Sequence, residues 1–198
     1  LPQVDELLQG GLPKGAITEL ASPETNAGSA LLLRGILCQA AATRQLAALV
    51  DGQDSFDAAS LEQPVLSRLL WVRCKNAAEA LKATDILLRD RNLSLVMLDL
   101  KMNPPAQLRK IAGTVWFRLQ RIVQQNATAL LVLTPYPMVS STDARLSLES
   151  RFALSAIEEI EGNLLPEPKA RGRPLSWLKL ELTRWNFGET ASESKIAG

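Results

Sequence analysis

The segment from Gly10 to Leu33 constrains the fold of this 198-residue chain more than any other part of it. It opens with Gly and Pro residues typical of a turn and continues with a short apolar strand, Ala16 to Leu20. A polar loop follows, and Ser29 to Ala42 then combines many Ala and Leu residues with few charges, as in a buried helix. A strand, a loop and a helix in this order predict an α/β domain built on parallel strands.

The polar loop of this segment has the layout of a phosphate-binding loop, Gly-x-x-x-x-Gly-Lys-Ser/Thr. In such a loop the backbone N–H groups surround phosphate, the lysine reaches the terminal phosphates, and the hydroxyl holds Mg²⁺. The first glycine, second glycine, lysine and hydroxyl positions are occupied here by Ser22, Ala27, Gly28 and Ser29, so only the hydroxyl is kept. The full candidate loop comprises Ser22, Pro23, Glu24, Thr25, Asn26, Ala27, Gly28 and Ser29.

Composition excludes several classes of function. The formal charge of +1 gives no overall basic field, so we expect DNA binding to be weak at most. The absence of histidine removes Ser–His and Cys–His nucleophiles and most zinc sites, and we predict no metal site. Cys38 and Cys74 fit no metal or redox spacing and are predicted to be buried free thiols.

No apolar run approaches the length of a membrane span, and the chain begins at Leu1 without a charged leader. We therefore expect the core of a longer cytoplasmic protein with no membrane contact. The remaining pattern predicts a single domain over residues 1–188 and a disordered tail over 189–198.

The elements after the first helix alternate between strands and helices. Asn76 with Glu79 predicts a capped helix start. Beyond Ser150 the apolar residues alternate, which predicts two antiparallel strands added to the sheet. The further predicted strands are 45–50, 69–73, 93–98, 129–134, 175–185 and one that lies within 152–160. The predicted helices are 4–8, 29–42, 76–91 and one long helix from Pro104 to about Gln125.

The sequence GGLPKGAITEL, followed by Pro23-Glu24 inside the loop, resembles the start of the ATPase core of RecA recombinases. The similarity extends to about Gly188. It implies an α/β, RecA-like (P-loop NTPase) three-layer core: a mostly parallel central sheet flanked by helices, with antiparallel strands added at the C-terminal end.

The resemblance also implies which residues stand at the family's catalytic positions. Asp99 takes the place of the Walker B acid, and Gln53 takes the place of the catalytic glutamate that orients water. A glutamine can hold a water molecule but cannot accept its proton, so no catalytic residue is expected. The adjacent Asp54 is a possible substitute for the missing carboxylate. The family's Asn-Gln sensor is replaced by Thr134-Pro135.

The DNA-binding loops of the family are reduced in this sequence. Asp99 is followed by a few residues and then by Pro104-Pro105, and the loop after Thr134 has about a dozen polar residues with Arg145 as its one basic residue. A separate loop carries Lys169, Arg171 and Arg173, which are candidates for contact with nucleic acid phosphates, although a solvated hairpin connection explains them as well.

A RecA-like core with a degenerate loop resembles the ImuA proteins, accessory factors of translesion synthesis and SOS mutagenesis. That resemblance implies a non-catalytic interaction module in the DNA damage response, with RecA or a translesion polymerase subunit as partner and no cofactor. Two alternatives stay open. One is an ATPase using ATP and Mg²⁺, with a lysine supplied by Lys14, Lys75 or Lys101 and the carboxylate by Asp54. The other is a nucleic-acid-binding subunit that uses the basic loop without hydrolysis.

Overall fold

The structure, a computed structural model, describes residues 2–23, 28–150 and 178–187. Several predicted features lie outside this part of the chain. They are the loop residues Glu24, Thr25, Asn26 and Ala27, the strand predicted within 152–160, the basic residues Lys169, Arg171 and Arg173, and the tail 189–198.

Helices and strands alternate along most of the described chain. The helices are α1 (Pro2–Leu7), α2 (Ser29–Ala42), α3 (Gln63–Leu66), α4 (Ala77–Arg89), α5 (Pro105–Leu108) and α6 (Gly113–Asn126), with a 3₁₀ turn at Ala58–Ser60. The strands are β1 (Ile17–Ala21), β2 (Ala47–Asp51), β3 (Leu69–Arg73), β4 (Leu95–Asp99), β5 (Ala129–Thr134), β6 (Ala144–Ser150) and β7 (Leu178–Trp185).

The strands form one seven-stranded sheet in the order β3-β2-β4-β5-β1-β6-β7. Strands β1 to β6 pair in parallel, and β7 pairs antiparallel with β6 at the C-terminal end. The prediction of a mostly parallel sheet with an antiparallel addition is therefore confirmed. The crossover from β1 to β2 skips two positions, so that β4 and β5 lie between them.

Both faces of the sheet are covered, which explains why its middle strands are apolar on both sides. Helices α1, α2 and α3 pack on one face and α4 to α6 on the other, and each face has its own buried cluster. Asn76 caps α4 by accepting a hydrogen bond from the backbone N–H of Glu79 at 2.9 Å, as predicted. The longest helices of the described chain, α2 and α6, have 14 residues each, which is too short to span a membrane.

Three predictions are wrong. Arg145 lies in β6, which begins at Ala144, and not in a polar loop. The long helix predicted from Pro104 is two helices, because the chain leaves the helical path between Leu108 and Gly113. Cys38 is exposed on α2, whereas Cys74 is buried as predicted.

The strand β6 is tied to β1 by a buried ion pair between Glu19 and Arg145. Glu19 is fully buried, and its Oε2 lies 2.6 Å from Arg145 Nε. Its Oε1 accepts hydrogen bonds from Thr134 Oγ1 at 3.0 Å and from the backbone N–H groups of Met138 at 2.7 Å and Val139 at 3.1 Å. One carboxylate therefore joins β1, β5, β6 and the connection between β5 and β6.

Replacing Glu19 with Gln is expected to destabilise the fold by about 3 kcal/mol, because a guanidinium with little solvent access loses its counter-charge. Urea unfolding followed by circular dichroism measures the change. The matched control is Glu181→Gln, since Glu181 forms an exposed ion pair with Lys179 on β7. That control should change stability by less than about 1 kcal/mol. Equal unfolding midpoints for the two variants would contradict the assigned role of Glu19.

Candidate functional site

The predicted site residues that the structure describes lie along the carboxyl edge of the parallel sheet. Register pairs Ala21 with Thr134 and Asp51 with Asp99, so the chain segments that leave β1, β2, β4 and β5 begin side by side. The start of α2 faces the same edge. Ligands bind at this edge in open α/β sheets because the loops diverge there and leave a crevice.

Gly28 precedes α2 in a left-handed backbone conformation, with φ of 77° and ψ of 10°. Its carbonyl accepts the first helical hydrogen bond, from the N–H of Leu32 at 3.0 Å. A residue with a Cβ is strained by about 1–2 kcal/mol in this conformation. Gly28 stands where the loop pattern has its lysine, and the local backbone is therefore one that favours glycine over lysine.

A lysine from a different strand end reaches the loop. Lys101, two residues after β4, donates from its ammonium group to Ser29 Oγ at 2.7 Å and to Ser22 Oγ at 3.2 Å. Both serine side chains are buried or nearly so. Of the three lysines considered from the sequence, Lys101 is the one that the structure brings to the two loop serines. Lys14 lies in the turn before β1, at the opposite edge of the sheet, and Lys75 follows the edge strand β3.

Asp99 lies beside this lysine at the end of β4. Desolvation by the surrounding protein raises the pKa of Asp99 to about 6, and the neighbouring Asp51 carboxylate adds to the rise. The backbone N–H of Lys101, which donates to Asp99 Oδ1 at 2.9 Å, and the Lys101 charge act in the opposite direction. An acid at this position can therefore exchange a proton close to neutral pH.

The loop after β2 is organised by the buried side chain of Asp51. Its carboxylate accepts hydrogen bonds from the backbone N–H groups of Gln53 at 3.3 Å, Ser55 at 3.0 Å and Phe56 at 2.8 Å. Three donors on one carboxylate fix the course of the loop and leave the Gln53 side chain exposed on its outer surface.

Asn103 connects this loop to the segment after β4, a role that was not predicted from the sequence. Its amide donates to the carbonyl of Gly52 at 2.8 Å and to Gln53 Oε1 at 3.3 Å. A Cβ at Gly52 would lie 2.3 Å from Asn103 Oδ1 and 2.7 Å from the carbonyl oxygen of Asp99. Only glycine allows the two strand ends to approach this closely. The side-chain amide oxygen of Gln53 is thus bonded to Asn103 of the protein itself.

Asp54, the possible substitute carboxylate, is engaged by Arg73 of β3. Arg73 Nε lies 2.5 Å from Asp54 Oδ1, and its Nη2 lies 2.6 Å from Oδ2. This hydrogen bonding lowers the pKa of Asp54. The Arg73 guanidinium also stacks 5.0 Å from the centre of the Trp71 ring. Both carboxylate oxygens of Asp54 therefore face a guanidinium on the outer strand.

A cleft of about 370 Å³ opens between α2, the loop after β2 and the segment after β4. Ser29, Arg34, Asp57, Asp99 and Lys101 contribute polar groups to its lining, and Leu33, Phe56, Met102 and Leu133 contribute apolar ones. The cleft offers two cations and two acids near the start of a helix. No group of three or more His, Cys, Asp or Glu residues that could hold a metal ion occurs in the described part of the chain.

Comparison with known proteins shows sequence similarity between this chain and RecA proteins. No protein-family model matches the chain. It is 31% identical over 122 residues to protein RecA of Methylococcus capsulatus, a match that covers 60% of this chain and 35% of that protein. The corresponding match to protein RecA of Desulfotalea psychrophila is 29% identical over 122 residues and covers 60% of this chain and 34% of the relative. The chain thus spans about a third of the length of these curated relatives.

Among solved structures, the chain is similar to the crystal structure of the RadB recombinase, with a TM-score of 0.59 at 17% sequence identity. The similarity covers 75% of this chain and 81% of the RadB chain. The fold is therefore a RecA-like and RadB-like α/β core, as predicted from the GGLP segment.

The raised pKa of Asp99 predicts a pH-dependent stability. Because its folded pKa of about 6 exceeds the ordinary value of 3.8, ionising Asp99 costs folding free energy above pH 6 and nothing below pH 4. Asp99→Asn removes this cost. It should be more stable than the parent at pH 8 by about 2–3 kcal/mol, with the advantage lost as the pH falls from 6 to 4. Urea unfolding at several pH values measures the difference.

The control for this experiment is Asp54→Asn, which should have the opposite sign. The lowered pKa of Asp54 means that its ionised form stabilises the fold above its ordinary pKa. The Asn variant should therefore be less stable than the parent at pH 8 and remain so at pH 6. A difference between parent and Asp99→Asn that does not change with pH would contradict the assignment.

Proposed function

We propose that this chain is a RecA-like, non-catalytic module that acts through protein contacts in DNA repair. The sequence similarity to RecA proteins supports the repair context. The resemblance to ImuA proteins supports the finer proposal of a role in translesion synthesis and SOS mutagenesis. RecA itself or a translesion polymerase subunit is the proposed partner, and DNA binding is at most a weak addition.

The observation that carries the proposal is the bond from the Lys101 ammonium to Ser29 Oγ at 2.7 Å. Ser29 provides the hydroxyl that would coordinate Mg²⁺ in a phosphate-binding loop. Here that oxygen already accepts a hydrogen bond from a cation, and a divalent ion placed beside it would be repelled by the ammonium. The Lys101 ammonium group thus lies beside the hydroxyl that would otherwise coordinate Mg²⁺.

The residues at the position of the family's water-orienting glutamate support the same proposal. Gln53 cannot act as a base, and the Asp54 carboxylate faces the Arg73 guanidinium. Recruiting Asp54 would require breaking a bidentate ion pair, which is the stronger geometry for such pairs. Neither side chain is arranged to take a proton from water in the cleft.

The position of Lys101 favours one second candidate, a nucleotide-binding site with a relocated lysine. A phosphate needs a positive charge in space and not at a fixed place in the sequence. If the Lys101 ammonium turned from the serines to a phosphate, ATP could bind through Ser29 and Lys101 beside Asp99. In this candidate the protein binds or hydrolyses ATP in DNA recombination or repair.

Isothermal titration of the chain with ATP and Mg²⁺ distinguishes the two candidates. We expect no micromolar binding, because the lysine contact of the loop is missing, and its loss of roughly 1.5–3 kcal/mol weakens Kd by about 10- to 150-fold. Micromolar or tighter binding would overturn the proposal. Loss of that binding in Lys101→Ala, with retention in the control Lys75→Ala, would assign it to the relocated lysine. ATP turnover with single-stranded DNA, compared with Asp99→Ala, then tests hydrolysis.

Binding to the proposed partners is tested separately with purified proteins. The immobilised chain is exposed to RecA and to a translesion polymerase subunit from the same organism, and association is followed by biolayer interferometry. We expect saturable binding of one of them that is unchanged by ATP and by Lys101→Ala, since the site is not used. Absence of binding to both would contradict the proposed partners.

A further inference from the structure

Helices α4 and α6 lie side by side on the outer surface of the sheet, and the seam between them carries an unusual combination of side chains. The Asn126 side chain of α6 donates to the carbonyl of Leu88 in α4 at 2.6 Å, and Leu81 and Val115 line one groove near the other ends of the two helices. The helices therefore run in the same direction, and the seam follows their whole length. We call it the α4–α6 face.

A basic cleft of about 380 Å³ lies on this face along α6 and beside the end of α4. Three arginines, Arg89, Arg118 and Arg121, line it together with Phe117. Asp85 of α4 holds two of them, with its carboxylate 3.0 Å from Arg89 Nε and 3.2 Å from Arg118 Nε. The three guanidinium groups that line the cleft, with the one carboxylate that pairs with two of them, leave an excess of two positive charges.

The basic cleft also contains an exposed aromatic residue. Phe117, which lines it, is 54% exposed. Towards the helix N-termini the seam becomes an apolar groove of about 390 Å³ that is lined by Ala78, Leu81, Ile111 and Val115. Single exposed apolar residues need no explanation, but an exposed aromatic among arginines beside an apolar groove is the composition enriched at protein interfaces.

From this arrangement we infer that the α4–α6 face binds an acidic segment of a partner protein that is anchored by an apolar side chain. Carboxylates of the segment pair with Arg118 and Arg121, and the apolar side chain packs on Phe117, which lines the same cleft. Asp85 orients the Arg89 and Arg118 side chains in advance, which lowers the entropy lost when a carboxylate binds. The inference rests on the proposed protein-binding function and names the surface and the partner chemistry.

A protein partner fits the cleft better than a nucleic acid does. The formal net charge of +1 gives little steering of a polyanion, whose affinity depends on neutralising several phosphates at once. A short segment with a few carboxylates and one apolar anchor matches both the small excess charge and the size of the cleft.

The experiment selects peptides from a phage-displayed library of random 12-residue sequences against the whole chain. Enriched sequences should carry Asp or Glu beside Leu, Ile, Phe or Trp. Fluorescence anisotropy with a selected synthetic peptide then gives Kd for the parent and for Phe117→Ala and Arg121→Ala. Each substitution should weaken binding about tenfold, the effect of a central interface residue.

Matched controls replace the same kinds of exposed side chain elsewhere. Lys179→Ala removes a cation from β7 and Tyr136→Ala an aromatic from the connection after β5, and both should leave Kd unchanged. A charge exchange shows whether a substituted chain is still folded. The variant Arg121→Glu should bind a peptide whose carboxylates are replaced by lysines better than the parent does, and only a folded chain can gain such binding. Selected peptides without acidic residues, or equal Kd values for parent, Phe117→Ala and Arg121→Ala, would overturn the inference.

A fluorescein-labelled single-stranded oligo-dT of 20 nucleotides is the competing probe. Salt-sensitive binding of this probe that is lost in Phe117→Ala and Arg121→Ala would replace the inference with a nucleic-acid surface. The proposed function fails on different evidence. Tight ATP binding would overturn the non-catalytic assignment without affecting the peptide binding. Failure to bind acidic peptides would overturn this inference without bearing on whether the chain binds ATP.

Discussion

The buried carboxylate of Glu19 is the constraint on which the arrangement of strand ends depends. It lies in the middle of β1 and is fully withdrawn from water, so its four donors must come from the protein. Those donors belong to β5, the connection after it and Arg145 of β6. Because β1 also begins the loop that leads to α2, the same carboxylate fixes the position from which that loop starts. Ser22, the first loop residue, is held in turn by its N–H bond to the Thr134 carbonyl at 2.9 Å.

The candidate nucleotide site follows the same principle, in which internal partners satisfy polar groups that a ligand would otherwise satisfy. Ser22 and Ser29 accept hydrogen bonds from Lys101, Gln53 accepts one from Asn103, and Asp54 pairs with Arg73. Each of these contacts is modest alone. Together they mean that a nucleotide would have to displace existing partners before gaining its own contacts, and that displacement reduces the net affinity. Asp99 is the exception among these residues, because burial disfavours its ionised form and raises its pKa.

The sequence predicted strand bounds well where apolar runs are continuous. The bounds of the buried strand β5 agree with the predicted 129–134, and those of the partly exposed edge strand β3 agree with 69–73. Such runs between polar segments have few alternative placements. Strand β6 was missed although Ala144, Leu146 and Leu148 alternate with polar residues, since the family comparison assigned this segment to a loop. Its polar positions include Arg145, whose partner Glu19 is distant in sequence. The break between α5 and α6 has one sequence signal, Gly113, which stands inside the predicted helix at the residue where α6 begins.

The site was less predictable than the fold because its contacts join residues far apart in the chain. The sequence left Lys14, Lys75 and Lys101 as equal sources of a cation. The choice depends on which strand end lies beside the loop, and that is set by the strand order. Strand β4 lies two positions from β1, with β5 between them, so a lysine on the segment after β4 can reach across β5 to Ser22 and Ser29. The parallel sheet, which ordinarily opens this edge to a ligand, here brings the chain's own cation to it. Surfaces away from the edge, such as the α4–α6 face, are not restricted by those internal contacts, and it is there that a partner can gain affinity without first displacing the Lys101 and Asn103 contacts.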